Sequence, residues 1–444
     1  MKCITLLTAF LSIFLYSVAQ KTNVSTVYKT ATPESVGISS SKLKVLVAIA
    51  DSAIRAHAIP GCQVLVARKG QVVYYKTFGY LNYDSLEPVT RGTLYDLASV
   101  TKVSATTVSI MKLYEQKKLD LHATLGTYIP WVRGSDKDTL HIDDILLHQA
   151  GLQPDVFFNK EAVDSIGRPL PYFFKEIPDT LYSIRVADNM YLRKNWRDTM
   201  NLRVVQSPLS LPAKYVYSDL DFIYLGQIVE QLSGKRLDKY AAANFYKPLN
   251  MYTTTFIPKE RGFSIASIAP TEKEKTFRME LLRGDVHDPS SAMYGGIAGH
   301  AGLYSNAYDL AKLYLMLLNG GNWNGHHFFD RQTIKLFTGY HSEISRRGYG
   351  FDKPEKDNAT NGDPYPSKYA SPETFGHTGF TGTCVWADPK EGLLFIMLSN
   401  RVCPYGGENN LLSTLSVRRS MLDAVYKALN SKKKAVSKQL TVVR

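Results

Sequence analysis

The sequence predicts an α+β fold: one antiparallel sheet, assembled from both ends of the chain and flanked by helices, plus a helical lobe. Three observations lead there. Apolar strand-like runs around short polar turns, the mark of β-hairpins, occur near both ends of the chain, at residues 62–75 and 383–398. Apolar residues at helical spacing precede the first hairpin and follow the second. The stretch between them is mostly helical in pattern and has no internal repeat, so a single sheet joining the two ends is the simplest closure.

In chain order, Met1 and Lys2 precede an apolar run over 4–16 and the small-x-small sequence Ser17-Val18-Ala19, a three-part secretory signal. The run is too short to span a membrane and no later stretch is long enough, which argues against stable membrane insertion. The expected plan is a signal peptide at 1–19, a linker at 20–32, a folded domain at 33–430 and a basic tail at 431–444. The mature protein is expected to be periplasmic or secreted.

Ser39 or Ser40 can cap a helix carrying Leu43, Leu46, Val47, Ala50 and Ile54. The period then changes: Cys62 to Ala67 and Val72 to Tyr75 flank Arg68-Lys69-Gly70-Gln71, a hairpin turn. A helix follows Ser99 and ends near Glu115, and another runs from His141 to His148 and stops at Gly151. Residues 153–212 are irregular and rich in Tyr, Arg and Asp, and are expected to form an elaborated loop over a cleft. Ser218 can cap a helix over 220–232 with Gly234 as its stop, and Ser305-Asn306 precede a helix over 308–318. The second hairpin turns at Asp388-Pro389-Lys390-Glu391-Gly392, and an amphipathic helix is expected over 411–429.

The 444 residues are 44% hydrophobic and 21% charged, an ordinary globular balance with room for a large core. Much of the net charge of +13 is local, because the chain after Asp423 carries six basic residues and no acid. Such a tail is a solvated end or a contact for anionic envelope polymers and lipid headgroups. Export argues against nucleic acid as a partner. Cys62, Cys384 and Cys403 lack metal-ligand spacing; they read as core residues, with one disulfide possible. No metal site and no cofactor is expected, and His326-His327 reads as a surface loop.

The chemistry points to Tyr95-Asp96-Leu97-Ala98-Ser99-Val100-Thr101-Lys102. Ser99 and Lys102 at the start of a helix lie one turn apart, so the amine can reach the hydroxyl. A serine becomes a nucleophile when a neighbour takes its proton, and a lysine does so when desolvation or nearby positive charge lowers its pKa. The spacing alone is cheap: Ser39/Lys42, Ser41/Lys44, Ser109/Lys112 and Ser431/Lys434 share it. Context selects Ser99. Tyr217-Ser218-Asp219 follows about a hundred residues on, and His377-Thr378-Gly379 leads into a strand.

These three motifs in this order resemble the penicillin-recognising serine hydrolases: class C β-lactamases, DD-peptidases and related esterases, with Ser-x-x-Lys, Tyr-x-Asn and Lys-Thr-Gly or a His variant. Further matches are Ile59-Pro60-Gly61, residues 146–152, Val286-His287-Asp288-Pro289 and the Gly-rich run 295–305, which resemble penicillin-binding protein 4B-like periplasmic hydrolases. The resemblance covers nearly the whole mature chain. It implies an acyl-enzyme on Ser99, with Lys102 and the phenol of Tyr217 sharing proton transfer, either of them being the base. It also implies an oxyanion hole from the N–H groups of Ser99 and Phe380. Substrate would contact Asp219, His377, Thr378 and Gly379, with His300 either lining the cleft or held in a tight turn. Asp219 stands where the family has Asn, and its charge serves substrate binding or the helix N-terminus. His377 stands where the family has Lys, so carboxylate binding is expected to depend on pH.

The resulting expectation is an exported serine hydrolase cleaving an amide or ester, in cell-wall peptide or a related small molecule. An esterase of the same fold and a catalytically silent binder of wall fragments are the alternatives. No Gly-x-Ser-x-Gly elbow is present, which argues against the α/β-hydrolase fold.

Overall fold

The computed structural model describes residues 31–210 and 214–429. The expected signal peptide, nearly all of the linker and the basic tail lie outside the described residues.

The two hairpins do join. Strands β1 (Gly61–Arg68) and β2 (Gln71–Gly79) are linked by Lys69 and Gly70, whose φ values of 50° and 75° form the left-handed two-residue turn that matches strand twist. Strands β3 (Phe375–Thr378), β4 (Cys384–Asp388) and β5 (Leu393–Ser399) come from the other end. The antiparallel order is β3-β4-β5-β1-β2. The seam between the chain ends is β5 against β1, from Cys62 opposite Ser399 to Arg68 opposite Leu393.

The period of two along β1 divides the core. Val64 and Val66 pack on one face with Leu46 and Ala50 of helix α1 (Val45–Arg55) and Met421 and Val425 of a C-terminal helix (Val417–Ala428). Leu65 and Ala67 belong to the larger cluster on the other face. Both faces are covered, so β1 and β5 are near-continuous apolar runs rather than alternating ones.

The lobe that positions the chemistry contains helix α2 (Val108–Glu115), entered through a wider π-type segment at Lys102–Thr107, and helix α3 (Asp219–Ser233). Ser218 caps α3 by accepting from Leu220 and Asp221 N–H, and Gly234 at φ 65° ends it. Helix α4 (Ala307–Leu318) is capped by Asn306 and packs on β1 and β5. A short sheet pairs Tyr95–Asp96 with Leu303–Ser305, bringing the Gly-rich run beside Ser99.

Four expectations change. Residues 153–212 are not a plain loop: they hold a small antiparallel sheet (Phe174–Lys175, Tyr182–Ala187, Met190–Arg193) and a helix at Trp196–Gln206. The His141–His148 helix is shorter, Ile142–Leu146, because His148 adopts φ 55°. The last helix breaks at Ser416, φ 48°, into Leu411–Thr414 and Val417–Ala428, which we label α5. The possible disulfide does not form: Cys62, Cys384 and Cys403 are all free and buried, as core residues. His326–His327 is exposed, as expected, on a short strand. Among the described residues no helix is long and apolar enough to cross a membrane.

Candidate active site

Ser99 sits at the meeting of the sheet edge and the lobe. Ala98 before it takes the left-handed φ of 46°, held by its N–H donating to Asp96 Oδ1 at 2.9 Å, so the chain turns sharply into the helix at Val100. Thr381 and Thr383 beyond β3 fix the same turn by donating to Asp96 O at 2.7 Å and Leu97 O at 2.9 Å. Gly379 is required here: a Cβ would lie 2.2 Å from Thr383 Oγ1 and 2.4 Å from Leu97 O.

Lys102 is completely buried, and its three donors are all engaged. Nζ donates to Ser99 Oγ at 3.0 Å, Asp219 Oδ1 at 2.5 Å and His300 O at 3.2 Å. Burial by itself would depress the amine, but the charges of Asp219 and Tyr217 outweigh it and hold Lys102 above the ordinary lysine pKa. The condition for a lysine base, a lowered pKa, is therefore not met while Asp219 is ionised. Asp219 lines the cavity and stands in the first turn of α3, and its direct partner is Lys102.

Tyr217 lies between two cations. Lys102 Nζ is 4.9 Å from its ring centroid and the Arg347 guanidinium 5.1 Å. Burial raises the phenol above its ordinary value; Lys102 and Arg347 oppose that rise, and Asp219 adds to it.

His377 is placed beside this group, its ring 5.9 Å from that of Tyr217. Its Nδ1 donates to Thr378 O at 2.5 Å, and its Nε2 accepts from Arg347 Nη1 at 2.9 Å. Burial, and then Arg347, push its pKa down to about 3. His377 is thus neutral at physiological pH, and the expectation that it supplies a pH-dependent charge is overturned. The fixed cation there is Arg347, which also donates to Tyr215 Oη at 3.1 Å and pairs with Asp352 at 3.6 Å.

The peptide after Gly379 is aligned by Arg418, which donates from Nη2 to Gly379 O at 2.7 Å, while Arg401 Nε donates to Phe380 O at 2.7 Å. Because N–H and C=O oppose each other across a planar peptide, fixing the Gly379 carbonyl fixes the Phe380 N–H. Neither that N–H nor the N–H of Ser99 has a hydrogen-bond partner among the described residues. The Phe380 ring is half exposed and stacks on His287 at 5.5 Å.

A cavity of about 690 Å³ opens over Ser99, with Tyr217, Asp219, His300, His377, Thr378 and Phe380 in its lining. His300 is buried, and its Nε2 meets Asp288 Oδ1 at 2.8 Å. Burial would lower His300, but Asp288 dominates and raises it, so the pair is ionic, with Asp288 held far below the carboxylate range. Of the two readings of His300, it lines the cavity; its ring is held by the Asp288 carboxylate rather than by backbone, and its backbone oxygen accepts from Lys102.

Sequence reasoning missed Arg347, Asp155 and a buried pair under Tyr217. His148 Nδ1 lies 2.6 Å from Asp221 Oδ2 and accepts from Ser218 N–H at 3.2 Å, and its ring is 4.7 Å from that of Tyr217. Burial drives Asp221 well up and His148 well down, so desolvation works against charge on either group. Residues 146–152 had stood out as a motif; the signal for His148 was there, but its partner was not. Away from the cavity, the carboxylates of Asp188, Glu280 and Asp285 lie close together, but Arg185 and Lys259 already bridge Asp188 and Asp285.

Comparison with known proteins agrees with this arrangement. The beta-lactamase family model matches residues 46–414. A relative from Escherichia coli K12 named "Putative D-alanyl-D-alanine carboxypeptidase" is 34% identical over 369 residues, covering 77% of this chain and 78% of that protein. Among solved structures, a penicillin-binding protein homologue from Caulobacter crescentus superposes with TM-score 0.62 at 19% identity, over 88% of this chain and 99% of the other. EstCE1, "a hydrolase with promiscuous acyltransferase activity", gives 0.61 at 22% identity over 87% and 99%. These structural likenesses speak to the fold, and the sequence match to descent: the chain belongs to the beta-lactamase family and is a serine hydrolase.

Proposed function

We propose that the protein works outside the cytoplasm, after removal of its signal peptide, by forming an acyl-enzyme on Ser99 and cleaving an amide or ester. The observation that carries this reading is the 3.0 Å contact of Lys102 Nζ with Ser99 Oγ on the floor of the cavity, next to two N–H groups with no partner among the described residues. Ser99 Oγ attacks the substrate carbonyl, and the oxyanion is met by the Ser99 and Phe380 N–H groups. Collapse breaks the bond to the amine or alkoxide, which leaves with the serine proton; water then attacks the ester, restoring Ser99 and releasing the acid. Lys102 and Tyr217 share the proton transfer, either of them being the base: both are held above their ordinary pKa, Lys102 by Asp219 against burial and Tyr217 by burial against its two cations. Cell-wall peptide of the D-alanyl-D-alanine class, named for the relatives, is the first substrate to test.

The test is intact-protein mass after a fluorophosphonate and, separately, a penicillin, on wild type and Ser99→Ala. An adduct on wild type alone supports the reading. Turnover of the best ester undiminished in Ser99→Ala would refute it.

A further inference from the structure

The charges around the cavity balance almost completely. Among the described residues, Asp219 is matched by Lys102 and Asp288 by His300, while Arg346 and Arg347 share Asp352 and Arg346 also holds Glu355. One charged group in the lining is left over. Asp155 forms no ion pair; its carboxylate accepts only the N–H of the next residue, Val156, at 2.7 Å. On the same wall, His300 Nδ1 is buried and has no partner among the described residues. One buried polar atom, His300 Nδ1, is thus left without a partner among the described residues, and the unmatched charge in the cavity lining is negative.

The surroundings of Asp155 and Arg347 also differ. Asp155 interacts with Asp288, Asp219 and His300, whereas the guanidinium of Arg347 interacts with Asp352, Tyr215 and Tyr217. A partly buried carboxylate beside two others is costly to ionise unless a cation arrives. Resting on the reading of Ser99 as nucleophile, we propose that Asp155 is a specificity-determining residue that binds an ammonium group carried by the substrate, so that the preferred amides or esters bear a free amine. Burial and the neighbouring carboxylates raise Asp155 to about 6, so at neutral pH it is largely ionised and ready for that amine.

The probes are p-nitrophenyl 4-aminobutanoate and 6-aminohexanoate, each against its N-acetyl form, with the ratio of kcat/KM read within each protein. In the wild type the free amine is preferred about tenfold or more, chiefly through KM, as expected for a hydrogen-bonded ion pair. The preference fades as pH falls through about 6, where Asp155 takes up a proton. It is lost in Asp155→Asn and kept in Asp155→Glu. A wild type indifferent to the amine, or Asp155→Asn with the preference intact, overturns the proposal, and the wild-type pH series decides it even if the variants fail to fold. Ser99→Ala separates the two levels: Ser99-dependent turnover without amine preference sinks only the role of Asp155, while turnover independent of Ser99 sinks the nucleophile assignment itself.

Discussion

Neutralising Asp219 while keeping its shape, as Asp219→Asn, would move the ascending limb of the pH–rate profile to lower pH. Asp219 Oδ1 is 2.5 Å from Lys102 Nζ, and its charge raises both Lys102 and Tyr217. Whichever of the two takes the serine proton must first be deprotonated, so the rate rises with pH through that group's pKa; removing the anion lowers the pKa in either case. With charge centres ~4 Å apart and an effective dielectric of ~20, the Coulomb term is about 4 kcal/mol, a ceiling of ~3 pKa units. Asp219 is 23% exposed, so solvent screens part of it. A downward displacement of at least ~1 unit is the expected outcome, since close ion pairs commonly shift pKa by 1–3 units. The assay is kcat/KM for an uncharged p-nitrophenyl ester across about pH 6 to 11, corrected for spontaneous hydrolysis, with a folding check at each end of the range. A limb that stays in place or moves upward refutes the argument that Asp219 restrains the base.

Two further outcomes follow from the geometry. Arg418→Met frees the Gly379 carbonyl from its 2.7 Å partner and lets the Phe380 N–H drift; kcat should fall about 10- to 100-fold with a smaller change in KM, and Arg418→Lys should recover part of it. His300, raised by Asp288, stabilises the fold fully below the ordinary histidine pKa, and that contribution is lost as pH rises through its raised value. Urea midpoints from neutral to alkaline pH should therefore fall more steeply for wild type than for His300→Gln.

The frame was legible because its signals are local. The period of two in residues 62–67 sends Val64 and Val66 to one core and Leu65 and Ala67 to the other, and Lys69-Gly70 makes a two-residue turn whose twist matches that of the strands. Ser218 and Asn306 cap helices as their side chains dictate. Inside residues 153–212 a local signal was present but weak: Asp188-Asn189, with Asn189 at φ 51°, turns the strands on either side. What the sequence withheld was produced by burial and by approach across the fold. Nothing near Arg347 marks it as the partner of His377, thirty residues on, and the low pKa of His377 follows from that encounter and from desolvation. Asp155 likewise stands out only once every other charge around the cavity has found its counter-ion.

The two departures from the family pattern act on one quantity, the charge felt by Tyr217. Asp219 in place of an amide adds an anion, and a neutral His377 in place of lysine removes a cation, so the motifs alone would leave Lys102 as the one cation beside the phenol. Arg347 supplies a second, 5.1 Å from the ring, from a loop that belongs to none of the three motifs. That cation comes with its own anion, Asp352, and donates a hydrogen bond to His377, so it is less free to grip a substrate carboxylate than an unpaired lysine would be. The cation count at Tyr217 is thus restored while the pull on an acidic substrate is weakened. An uncompensated Asp155 in the same cavity tilts selection further, toward substrates that bring a positive charge of their own.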